Sequence, residues 1–120
     1  MSAARGLCQQ ASANLAQGKI TEAIADCHQT ISMQPDLPEA HKILGDALLS
    51  QGKLNEAQGA YTKALEINPN FAEARANLGT IFYQQGKLNK AIDCYQQAIK
   101  VNPNLAIAQW AIGNVLARKG

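Results

Sequence analysis

The residues of this 120-residue chain best suited to nucleophilic or metal chemistry are Cys8, Cys27 and Cys94 with His28 and His41. Their spacing supports neither chemistry. There is no C-x-x-C pair, and no histidine stands at ligand spacing from a cysteine. Cys8 and Cys94 therefore read as incidental thiols, and both histidines read as surface residues without a ligand partner. A catalytic reading would need a nucleophile beside a base, paired carboxylates, a metal cluster or a phosphate loop. G-K-L-N at 52–55 and G-K-L-N at 86–89 lack the upstream glycine spacing and the following Ser or Thr of a phosphate loop. The expectation is a protein that is no enzyme within these residues and needs no cofactor or metal.

Bulk properties narrow the partners. Charged residues make up 17% and hydrophobic residues 47%, which is the balance of a globular chain. A formal net charge of +2, with no Lys/Arg run, argues against a nucleic-acid footprint. No stretch approaches the roughly 18 apolar residues of a membrane span. MSAARGLCQQASANLAQGK at the N-terminus lacks the continuous apolar core of a secretory signal. The odd cysteine count fits a reducing compartment, so the expected location is cytoplasmic.

What could position functional residues is a repeat. Pro35, Pro69 and Pro103 stand 34 residues apart, and Gly18, Gly52, Gly86 and Gly120 keep the same step. A fixed period of this length signals stacked helical hairpins. QGKI at 17–20 aligns with QGKL at 51–54 and 85–88; Ala23, Ala57 and Ala91 coincide, as do Gly45, Gly79 and Gly113. Tyr61 and Tyr95 coincide, with Cys27 before them as a buried, inert thiol.

Each unit reads as helix, tight turn, helix. In 72–85, Ala74, Leu78, Ile81 and Phe82 form one apolar stripe. Gly86 ends that helix at positive φ. Asn89, Asn55 and Thr21 read as N-caps of the second helices. Ala91, Ile92, Tyr95, Ala98 and Ile99 share a face of the next helix, which stops before Asn102-Pro103. Pro38 fits a first helical turn. Gly45, Gly79, Ala57 and Ala91 allow close approach within a hairpin, with Tyr61 and Tyr95 filling the space between hairpins. The repeated Lys19, Lys53 and Lys87 read as turn and solubility residues.

Leu-Gly in the first helix, Q-G-K-L/I, and then Ala, Tyr, Ala and Asn-Pro resemble the tetratricopeptide repeat (TPR) over nearly the whole chain. The units fall at 4–37, 38–71 and 72–105, with a terminal helix at 106–120, as a single domain over 1–120. The first unit departs most: Gln10 and Ala11 replace Leu-Gly, and Asn14 replaces a large apolar residue, which suits a capping repeat. His41, Arg75 and Gln109 stand where many family members have tryptophan. The resemblance implies an all-α, right-handed superhelical solenoid whose first helices line a concave face.

The resemblance also implies a groove that holds a partner peptide or helix. Its residues would be Lys42, Asp46 and Ser50; Glu73, Asn77, Thr80, Tyr83 and Gln84; and Trp110, Asn114 and Arg118. Arg5, Cys8, Gln9 and Ser12 would extend it. Asn77 and Asn114 can pair with a peptide backbone, and Tyr83 and Trp110 offer apolar area with a polar tip. Trp110 reads first as a residue packed on a neighbouring helix, ahead of ligand contact, and Asn77 equally as a solvated helix residue. Lys42 and Asn77 match two positions of the clamp that some TPR domains close on chaperone tails. Asp46, Ile107 and Ala111 depart from it, so this partner is disfavoured. Ile43 and Ala111 likewise break the asparagine ladder of the TPR-bearing sugar transferases.

The function expected is an interaction scaffold or adaptor for a protein or peptide, with no nucleic acid and no membrane insertion. Two alternatives stand beside it: a targeting arm of a larger enzyme such as a glycosyltransferase or methyltransferase, and a self-associating module. The second rests on the terminal helix, where Ile107, Trp110, Ile112, Val115 and Leu116 are many apolar residues for the end of a stack. A homo-oligomer would form through that helix.

Overall fold

The computed structural model describes residues 2–120. All the regular structure among them is α-helical, in seven helices. They fall in two compact units, one ending at Ile67 and the other running from Asn68 to Gly120. The first holds α1 (Ala3–Ala16), α2 (Ile20–Met33), α3 (Pro38–Ser50) and α4 (Leu54–Ile67). The second holds α5 (Ala72–Gln84), α6 (Leu88–Val101) and α7 (Ala106–Lys119).

The Q-G-K tripeptide is both a stop and a start. Gly18, Gly52 and Gly86 take φ of 78°, 76° and 79°, a region costly for any residue with a Cβ. Around Gly52, its N–H donates to Leu49 O at 2.9 Å and the Lys53 N–H donates to Leu48 O at 3.0 Å. This two-bond closure satisfies the last carbonyls of α3. Gly86 and Lys87 close α5 in the same way on Tyr83 O and Phe82 O. The lysine carbonyls then accept the first bonds of the next helices, from Ala23, Ala57 and Ala91 N–H at 3.0 Å each.

This geometry moves the helix starts. Lys19 and Lys87 are the cap residues of α2 and α6, without side-chain caps. Thr21, Asn55 and Asn89 therefore lie inside the first turns of α2, α4 and α6, not at their caps as expected. Asparagine acts instead at the other turn. The Asn68 and Asn102 side chains accept from the N–H groups of Asn70 and Asn104, at 3.1 and 3.2 Å, and hold the Asn-Pro-Asn loops.

The residues in the tryptophan position share one role. His41 Nε2 donates to Pro35 O at 2.8 Å, Arg75 Nη2 to Pro69 O at 3.4 Å, and the Gln109 amide to Pro103 O. Three chemically different side chains thus tie each first helix to the loop before it. His41 is buried, not at the surface as its sequence context suggested, because this bond and the packing of α3 enclose it.

Within each unit the hairpins α1–α2, α3–α4 and α5–α6 pack closely, and the small residues set their distance. A Cβ built on Gly45 would come within 2.7 Å of the Tyr61 ring, and one on Gly79 within 2.9 Å of the Tyr95 ring. Tyr61 thus seats on the first helix of its own hairpin. Tyr95 seats on α5 in the same way and also fills the space between its hairpin and α7, where it clusters with Ala108, Ala111 and Val115. The hydroxyls are anchored too. Tyr61 donates to Asp46 Oδ1, and the Tyr95 hydroxyl lies 2.9 Å from Thr80 Oγ1. In α1–α2, where Cys27 replaces the tyrosine, Asn14 Nδ2 bonds Asp26 Oδ2 at 2.7 Å across the hairpin.

Gly113 keeps the register of Gly45 and Gly79, but nothing lies within 4 Å of where its Cβ would stand. Gly45→Ala and Gly79→Ala should each destabilise by about 1–3 kcal/mol through overpacking against an anchored ring. Gly113→Ala should stabilise by about 1 kcal/mol, the helix-propensity gain alone. Urea unfolding followed by circular dichroism will read these opposite shifts in midpoint.

Candidate functional site

The side chains expected to form a site come together best in the second unit. A cleft of about 420 Å³ opens between α5 and α7, lined by Thr80, Tyr83 and Gln84 on one wall and by Ile107, Trp110, Ala111, Asn114 and Val115 on the other. Tyr95 of α6 reaches into it from behind. The 3.6-residue period explains the walls: positions 80, 83 and 84, and 107, 110, 111 and 114, each share one helical face.

Its polar atoms have defined roles. Thr80 Oγ1 donates to Ala76 O at 3.3 Å, so the hydrogen in its 2.9 Å contact with Tyr95 comes from the tyrosine hydroxyl. Burial pushes the Tyr95 hydroxyl above its ordinary pKa of 10.0, with the Thr80 bond working against that rise, so it is a neutral donor at physiological pH. Arg118 Nη1 donates to Tyr83 O at 3.1 Å, and its guanidinium carbon stands 4.9 Å from the Tyr83 ring centre. That cation–π contact fixes the ring at the cleft edge. Trp110 is 72% exposed and Ile107 57% exposed. Trp110 is therefore not the packed residue that one sequence reading suggested, because no helix among the described residues covers its side of α7.

Of the eleven residues expected in the groove itself, Thr80, Tyr83, Gln84, Trp110 and Asn114 line this cleft and Arg118 braces it. Ser50 lies on α3 in the first unit, where its hydroxyl donates to Asp46 O at 3.1 Å. Glu73 is exposed in the first turn of α5, and Asn77 is half-buried on the same helix; neither is a lining residue. Lys42 and Asp46 belong to α3 in the first unit, where they pair with each other at 2.8 Å. Asp46 also accepts from Tyr61, so both charges serve the hairpin. Tyr95, Ile107, Ala111 and Val115 complete the cleft without having been picked out as binding residues. Only the repeat register of Tyr95, fifteen residues after Thr80, hinted at the first of them.

The first unit has a smaller cleft of about 260 Å³ between α1 and α3. Arg5, Cys8, Gln9 and Ser12 line it with Leu37, Glu39 and Ile43. The Cys8 thiol is pushed up from 9.0 by burial and by Glu39, against the pull of Arg5, so it stays protonated and unreactive. Among the described residues no three His, Cys, Asp or Glu side chains are gathered to hold a metal. No helix among them is long and apolar enough to cross a membrane.

These features are those of a known repeat family. The profile described as TPR repeat matches residues 45–86 and 79–120, and a second, described as tetratricopeptide repeat, matches 14–61. The chain belongs to the tetratricopeptide repeat family. Its fold is close to the first TPR of Spaghetti (RPAP3) bound to an HSP90 peptide, SRMEEVD. The TM-score is 0.90 at 21% identity, over 96% of this chain and 91% of that one. The Sgt2 TPR domain of Aspergillus fumigatus gives 0.91 at 18% identity, over 98% and 80%. MamA gives 0.88 at 25% identity, over 98% and 69%. No curated protein matches the chain by sequence.

The thiols provide a test of this packing. Burial pushes Cys27 up to about 12 and Cys94 up to about 11, from an ordinary 9.0. The folded protein therefore keeps protons that the unfolded chain releases near pH 9, and stability falls as pH rises from there through these values. The urea midpoint should be steady between pH 7 and 8 and decline from pH 9 upward. At pH 8 a thiol-specific reagent should modify Cys27 and Cys94 much more slowly in the native protein than in urea.

Proposed function

We propose that this protein is an interaction module that holds a segment of a partner protein in the cleft between α5 and α7. The observation that carries this reading is the lining: Tyr83, Ile107 and Trp110 give apolar area, and Gln84 and Asn114 offer donors and acceptors to a peptide backbone. A concave, largely apolar site with few convergent polar groups is the usual form of a binding pocket. Rigid aromatic anchors are favoured in such sites because they bury much area for little conformational entropy.

The chemistry selects among partners. The Spaghetti TPR was seen with a peptide ending in acidic residues. Here the cleft walls carry Ile107 and Ala111, Arg118 is engaged with Tyr83, and Lys42 is paired with Asp46. An acidic tail would find no unengaged cation in this cleft. The fitting segment is neutral and carries an aromatic or branched apolar side chain between Tyr83 and Trp110.

The test is selection of a random-peptide display library on the full chain, followed by titration of synthetic binders. The peptides should share an apolar anchor, lack acidic termini and shift the emission of Trp110 on binding. Tyr83→Ala and Ile107→Asp should each weaken binding by about tenfold or more while helicity is kept. Selected peptides that are acidic, or that bind both variants as tightly as the parent, would remove the cleft from consideration.

A further inference from the structure

A second pocket of the 68–120 unit lies away from the cleft and shares none of its residues. It holds about 240 Å³ where the loop before α5 meets the last turns of α6. Pro69, Phe71 and Val101 give it apolar walls, and Arg75 and Lys100 bring one cation from each helix. Among the described residues neither cation is in an ion pair. The Arg75 guanidinium spends one amino group, Nη2, on Pro69 O at 3.4 Å and keeps its other donors. The unit holds just two acidic side chains, Glu73 and Asp93, and both are exposed. The register departs here from the preceding hairpin. Lys100 stands where α4 has Glu66, and that acid lies 3.8 Å from Lys63 on the same helix. A stretch that carries an ion pair in one hairpin thus carries two like charges in the next. Like charges around one pocket repel, and an anion between them removes the repulsion.

We propose that this pocket is an anion site that takes a carboxylate group, with the Arg75 guanidinium and the Lys100 ammonium as its counter-charges. The planar fork of an arginine matches a carboxylate through two parallel hydrogen bonds, and a lysine adds a point charge beside it. The Gln97 amide, also in the lining, offers a further donor. The walls specify the rest of the ligand. Val101 is 48% exposed and Phe71 half-buried, so a carbon body next to the carboxylate covers apolar surface. Sulfate has no such body and would leave those walls wet. The volume is below the roughly 300–1,000 Å³ usual for a drug-sized ligand, so the occupant is short. It is the acidic side chain of a partner segment or a free carboxylic acid of a few carbons, the two sources sharing one recognition chemistry.

The test follows backbone amide resonances of the full, nitrogen-15-labelled chain at constant ionic strength. The probes are sodium glutarate, the peptide acetyl-Val-Glu-Val-amide, its glutamine counterpart and sodium sulfate. Glutarate or the glutamate peptide should give saturable shifts confined to residues 71–75 and 97–101, and the other two probes should not. Tighter binding of the peptide assigns the site to a partner's acidic side chain, and tighter binding of glutarate to a free acid. Arg75→Gln removes the charge and keeps the loop tie, because Gln109 already makes the equivalent bond to Pro103 O in α7. Lys100→Glu restores the residue that α4 carries in this register. Each variant should need about tenfold more ligand for half-saturation, with helicity unchanged by circular dichroism. No saturable shift with either carboxylate, equal binding of sulfate or of the glutamine peptide, or unchanged affinity in both variants would overturn the proposal.

Discussion

The close approach of a tyrosine ring to a glycine in the preceding helix sets the geometry of the α3–α4 and α5–α6 hairpins. A ring can lie flat on a helix only where no Cβ intervenes. At Gly45 and Gly79 the missing Cβ would have stood 2.7 and 2.9 Å from ring carbons. The hydroxyl bonds to Asp46 and Thr80 then fix each ring's direction, so the contact sets rotation as well as distance. The alanines one turn either side of each tyrosine are buried because the helices are held this close. Where the tyrosine is missing, in α2, Cys27 fills less space and a polar bond between Asn14 and Asp26 joins the helices.

The candidate cleft inherits its shape from the same contact. Tyr95 presses on Gly79 with one edge, meets α7 through Ala108, Ala111 and Val115, and presents its hydroxyl beside the cleft. The residues that face the cleft, Tyr83 and Trp110, are consequently spread across two helices whose separation Tyr95 sets. Loop bonds reinforce this placement. Arg75 and Gln109 anchor α5 and α7 to Pro69 and Pro103, and Arg118 of α7 bonds the Tyr83 carbonyl of α5. Candidate cleft and core are therefore built from neighbouring positions on the same helices, a common economy in repeat proteins.

Much of the fold was legible because it is repeated. A 34-residue period in proline, glycine and alanine can be met only by units that place those residues in equivalent backbone sites. Helix bounds near Gly52, Gly86 and Pro103 followed from conformational rules that need no tertiary information. The caps were misread at Thr21, Asn55 and Asn89, because the turn closes through backbone N–H groups and leaves the side chains no cap to make. His41 was misread because a six-residue reach to Pro35 O is invisible in composition. Of the cleft, Thr80, Tyr83, Gln84, Trp110 and Asn114 were legible as polar or aromatic residues on first helices.

By itself the sequence determined the all-helical repeat, the places where helices end, and the register in which tyrosine and glycine recur. Each follows from local backbone rules or from residue types recurring in register. The tertiary structure decided which charges remain available. Lys42 and Asp46 look like binding groups along the chain, yet folding pairs them with each other, four residues apart on one helical face. It also decided that Trp110 is bare and Gly113 open, since exposure is set by which helices lie alongside and not by the residue itself.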